Sequence, residues 1–126
     1  MAITDNWDEV SLSDSRVLEL QVDPTSLRFV LEGVLLLPGH ANNSSGNLQT
    51  LDRAALVFER PVGLVCRAYD SETESWQDLA EPYPLISYVA EVTILASGWT
   101  VTGFERDGGR WLEFHVQCPG RVSLIA

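Results

Sequence analysis

The chain has 126 residues with 18 acidic and 8 basic side chains, a net charge of −10, and all of its basic residues are arginine. The missing lysine excludes a Schiff base, a phosphate-loop lysine or a lysine general base, and the acidity opposes unaided binding to nucleic acid or an anionic membrane. With 45% apolar and 21% charged residues, the composition is that of a folded domain, and the length suits a single domain over residues 1–126.

Residues 1–15 read as a polar, acidic arm with Trp7, Val10 and Leu12 as isolated apolar anchors. They lack the basic and apolar regions of a secretory signal. No later run approaches the roughly 18 apolar residues of a membrane span, so the expected location is the cytoplasm. Residues 16–23 alternate, with Leu18, Leu20 and Val22 on one face and Glu19, Gln21 and Asp23 on the other, the pattern of a half-buried strand. Pro24 marks a turn. In residues 27–37, Leu27, Phe29 and Leu31 share a face. Gly33 breaks the alternation, which implies either a bulge or a strand covered on both sides. Residues 38–47 are turn formers around His40 and read as a surface loop, with His40 a solvated group there or, alternatively, a ligand-binding one.

Leu56 and Phe58 share a face of the next strand, and Leu64 and Cys66 share one beyond Pro61. Residues 70–81 are acidic and read as a short helix or a loop. Residues 85–96 fit a helical stripe, but their β-branched and aromatic content favours a strand. Asp107, Gly108 and Gly109 form a hairpin signal. It is followed by Leu112, Phe114, Val116 and Cys118 facing inward and by Trp111, Glu113, His115 and Gln117 facing outward. Val122 to Ile125 make a last short strand. The fold class expected is mainly β: an antiparallel sandwich or partly open barrel of about seven to eight strands, with room for one short helix.

Few motifs carry chemistry. Walker, dinucleotide, calcium-loop and Gly-x-Ser-x-Gly patterns are all absent. No catalytic residue, metal site or cofactor is therefore assigned. His115 and Cys118 have opposite strand parity and do not chelate together. Cys66 and Cys118 read as reduced structural thiols, with a disulfide as the alternative. The paired acids Glu72 with Glu74 and Asp78 with Glu81 read first as a solvated face. Glu113 and His115 are same-face neighbours, so the carboxylate can orient the imidazole. Trp76 lies in an acidic segment, and Trp111 points away from the core. Aromatic anchors rimmed by carboxylates suit a binder of a basic protein, and a net charge of −10 would steer such a partner inward. The binding residues expected are Trp76, Trp111, Glu113, His115, Glu72 and Glu74.

Trp7 precedes the run from Leu12 through Asp14 into two alternating strands, and the chain closes with Trp111-Leu112-Glu113-Phe114 and Val122-Ser123-Leu124. This resembles the Imm50-like immunity families, small bacterial β-proteins, over the first 37 and last 25 residues. Ser13 stands where those families usually have His before Asp. The resemblance implies a noncatalytic inhibitor of a polymorphic toxin made by the same cell, and transfers no catalytic residue.

Two other functions compete with an interaction domain. One is a pocket that binds or converts a small molecule through His115 or His40 with a carboxylate. The other is an accessory subunit that forms a homo-oligomer.

Overall fold

In the computed structural model, which describes residues 1–126, the alternating segments become antiparallel strands joined by turns. In chain order these are β1 (Ala2–Ile3), β2 (Val10–Ser11), β3 (Arg16–Asp23), β4 (Ser26–Glu32), β5 (Val34–Leu36) and β6 (Gln49–Leu51). Then come β7 (Ala54–Glu59), β8 (Gly63–Asp70), β9 (Ser75–Leu79), β10 (Glu91–Leu95), β11 (Gly98–Phe104), β12 (Trp111–Gln117) and β13 (Val122–Ile125). One five-stranded sheet has the order β1-β13-β7-β4-β3, a second has β10-β11-β12-β8-β9, and a three-stranded sheet has β2-β5-β6. The expected seven or eight strands in one sandwich or barrel are thus corrected to thirteen strands in three sheets, none of them closed. Three-residue segments such as Val34–Leu36 and Gln49–Leu51 carry too little alternation to count as separate strands by pattern alone.

Strand parity builds the core. Leu27, Phe29 and Leu31 of β4 and Leu56 and Phe58 of β7 are buried, as are Leu112, Phe114 and Val116 of β12. The two large sheets meet through edge-on rings, Phe29 on Phe114 at 5.5 Å and Phe58 on Trp99 at 5.4 Å, a geometry the ring quadrupole favours. Trp7 packs edge-on against Trp99 at 5.0 Å and pins the N-terminal segment. Buried Val10, Val34, Leu36 and Leu51 tie the small sheet to the same cluster.

The only helical element is a 3₁₀ turn at Trp7–Glu9. Residues 70–81 are neither helix nor loop but chiefly the β8–β9 hairpin, whose turn is capped by Asp70 Oδ1 accepting from Glu72 N at 2.9 Å. Gly33, at φ +85°, is where the chain leaves one sheet for another. The bulge falls between Val17 and Glu19 instead, and Val22, opposite buried Leu27 near the end of the edge strand β3, is exposed.

Residues 85–90 join the two large sheets. On one side Ser87 N donates to Phe104 O and Ala90 N to Thr102 O, both at 2.8 Å. On the other, Val17 N donates to Ser87 O at 3.0 Å, Asp14 N to Val89 O at 2.7 Å and Val89 N to Ser15 O at 2.9 Å. Arg106 Nη2 also donates to Val17 O. The segment crosses β11 over Gly103, where a Cβ would meet both Tyr88 O and Ile86 Cγ2 at 2.5 Å.

His40 is corrected from a solvated group to one only 3% exposed. The loop around it is ordered by Asn43, whose Nδ2 donates to the carbonyls of Leu36, Leu37 and Asn47 at 3.0, 3.1 and 2.7 Å. His40 Nδ1 accepts from Asn42 N at 3.0 Å, and Nε2 has no partner. Both cysteines are free thiols. Burial pushes the Cys66 thiol up to about 11.

Candidate functional site

The outward residues of β8, β9, β11 and β12 form rows across the second sheet, because antiparallel register sets partners side by side. Trp76 pairs with Tyr69, Tyr69 with Trp111, and Trp111 with Phe104. One row is therefore aromatic across four adjacent strands. Its rings touch, Tyr69 to Trp76 at 5.2 Å and Phe104 to Trp111 at 5.1 Å. Phe104 nevertheless stays 60% exposed and Trp76 42%. The next row runs Asp78, Arg67, Glu113, Thr102 and Glu91. Arg67 lies 3.7 Å from Asp78, and its guanidinium sits 4.5 Å from the Trp76 ring centre.

Glu113 links the rows. Its Oε2 accepts from Trp111 Nε1 at 3.2 Å, and its Oε1 lies 3.1 Å from His115 Nε2. On the other side of the ring, His115 Nδ1 lies 3.4 Å from Thr100 Oγ1. The carboxylate thus fixes the indole and the imidazole together.

The hairpin turns β8–β9 and β11–β12 stand at the same end of the sheet, and a half-open groove of about 380 Å³ lies between them. Tyr69, Phe104 and Trp111 line it with Asp70, Glu72 and Arg110. Arg110 donates to both Glu105 carboxylate oxygens at 3.0 Å. These bonds hold the Glu105 carboxyl below its ordinary value and the Arg110 guanidinium above its own.

Of the residues expected from sequence, Trp76, Trp111, Glu113 and His115 share this face, and Glu72 lines the groove. Glu74 lies in the adjoining exposed turn. His40 lies in the loop after β5, far along the chain, and contributes nothing to the face. His115 lines a separate depression of about 130 Å³. No group of three His, Cys, Asp or Glu side chains is placed to hold a metal. Tyr69 and Phe104 escape a residue-by-residue reading, yet folding the chain back about each hairpin turn sets them against Trp76 and Trp111.

Residues 70–78 lie at the β9 edge, whereas Asp8 lines a groove with Val92 and Ile94 of β10. No helix is long and apolar enough to cross a membrane. Comparison with protein-family models, curated proteins and solved structures finds no match to this chain.

Proposed function

We propose that the chain is a noncatalytic protein-interaction domain that engages a basic partner through the outer face of the β10-β11-β12-β8-β9 sheet. The observation that carries this reading is the aromatic row Trp76, Tyr69, Trp111 and Phe104, open on the surface beside Asp70, Glu72 and Asp78. Large rigid rings supply contact area at low entropic cost, and carboxylates at the rim select the sign of the partner. The resemblance to Imm50-like families gives the reading its specific form, an immunity-type inhibitor of a basic toxin in a bacterial cytoplasm.

Capture from cell extract on immobilised protein tests it, with Trp111→Ala and Trp76→Ala proteins as parallel baits. The expected result is a basic protein retained by the wild type and lost by the variants. Equal retention on all three baits, or no protein partner together with a bound metabolite in native mass spectrometry, overturns the reading. Self-association through the same face, read by sedimentation, would replace it with a homo-oligomer.

A second reading rests on the Thr100–His115–Glu113 chain, a hydroxyl, imidazole and carboxylate in sequence. It is the weaker one, since its depression of about 130 Å³ is small for a ligand site. Turnover distinguishes the two: under this reading the wild type turns over a substrate and His115→Ala abolishes it, whereas under the first there is no turnover to lose.

A further inference from the structure

We propose that the groove between the β8–β9 and β11–β12 turns is an aromatic notch for an organic cation, supplied by a lysine or arginine side chain of the partner. This rests on the interaction reading above and names the group that enters. Three rings line the notch, Tyr69, Phe104 and Trp111, with Asp70 and Glu72 on one rim. Rings present negative faces to a cation, and adjacent carboxylates add Coulomb attraction.

Arg110 does not occupy this role. Its guanidinium is matched by both oxygens of Glu105, which is itself buried. With Arg110 thus paired internally, the negative charge of Asp70 and Glu72 faces the groove. Neither acid has a salt-bridge partner, and Asp70 Oδ1 is engaged only by turn amides. Gly108 lets the turn close over Glu105, since a Cβ there would meet Glu105 Oε1 at 2.7 Å. The pair thereby braces one wall.

The same row already holds a cation. Arg67 rests 4.5 Å over Trp76, at the end of the row away from Phe104. At the other end, Phe104 remains 60% exposed although it touches Trp111. The groove, about 380 Å³, is large enough for a basic side chain.

The test follows the Trp111 indole N–H resonance of ¹⁵N-labelled protein during titration. The probes are tetramethylammonium, the uncharged tert-butyl alcohol 3,3-dimethylbutan-1-ol as a control with a similarly shaped apolar head, and short peptides with a single Lys, Arg or Gln. The expected result is a saturable shift with tetramethylammonium and with the Lys or Arg peptide, and none with the alcohol or the Gln peptide. Phe104→Ala and Glu72→Gln, both at exposed positions, should each weaken binding by about two- to fivefold. No saturable shift, an equal shift with the neutral alcohol, or wild-type binding by both variants overturns the notch. Tetramethylammonium binding with silent Lys and Arg peptides overturns its assignment to a side chain. A basic partner that both variants capture as well as the wild type does would overturn the notch alone. A notch that binds the Lys or Arg peptide while no protein engages the face supports the notch and overturns only the broader function.

Discussion

Replacing Gly103 with alanine probes the joint between the two large sheets. The new methyl would stand 2.5 Å from Tyr88 O and from Ile86 Cγ2, against 3.4 Å or more in ordinary contact. A side chain can rotate away, but Tyr88 O belongs to the backbone of residues 85–90. That segment is held on both sides, by Ser87 and Ala90 to β11 and by Ser87 and Val89 to residues 14–17. Overpacking of this kind costs about 1–3 kcal/mol. Displacing the segment weakens one or two hydrogen bonds, at about 1 kcal/mol each. The total expected is about 2–5 kcal/mol, read as a fall of roughly 1–2.5 M in the urea midpoint at a slope of about 2 kcal/mol per M. Tryptophan fluorescence during urea unfolding measures it. Adding Ile86→Ala should give no rescue, because the carbonyl remains. Gly109→Ala is a control with empty space around it and only a positive φ of +71°, expected to cost about 1–2 kcal/mol. A Gly103→Ala protein within about 0.5 kcal/mol of wild type, or a double variant more stable than Gly103→Ala alone, would refute the argument.

Phe114 is fully buried between Phe29 and Tyr83, so Phe114→Ala should destabilise by about 3–5 kcal/mol in the same assay. Asn43→Ala removes the two amide hydrogens that the carbonyls of Leu36, Leu37 and Asn47 share and should cost about 2–4 kcal/mol, with faster amide exchange confined to residues 37–47. Glu105 is held below its ordinary 4.5 by Arg110. Its contribution is therefore complete above that value and fades as pH falls through the lowered one. Stability measured against pH should lose part of its acid limb in Glu105→Gln, and an unchanged limb would show that the pair does not contribute. Cys66 is 1% exposed with its thiol pushed up to about 11. A thiol reagent near neutral pH should leave Cys66 unmodified until denaturant is added, while the partly exposed Cys118 reacts in the folded protein.

Parity made much of the core readable. The inward set Leu112, Phe114 and Val116 and the outward set Trp111, Glu113 and His115 follow from a period of two alone. The sheet partition did not, because the break in alternation at Gly33 does not say that the next strand pairs in a different sheet. His40 misled for a related reason. Its neighbours are turn formers, but Asn43 folds them inward against backbone carbonyls, a contact that spacing does not encode. At the site, Trp76 and Trp111 stood out as single residues. Their common row required Tyr69 and the pairing of β8 with β12, which are distant in sequence.

The two ends of the chain meet. β1 pairs with β13, the Met1 amino group donates to Ala126 O at 3.2 Å, and Ala126 N returns a bond to Met1 O at 3.0 Å. The backbone is thus close to a ring, and a short linker could seal it and allow it to be reopened at the exposed turn of residues 107–109 without changing any sheet. Anything fused at either end leaves from β1 or from its neighbour β13, at one side of the sheet that does not carry the aromatic row. A tether to a surface or a reporter domain at either end therefore leaves Trp76, Tyr69, Trp111 and Phe104 presented to solution.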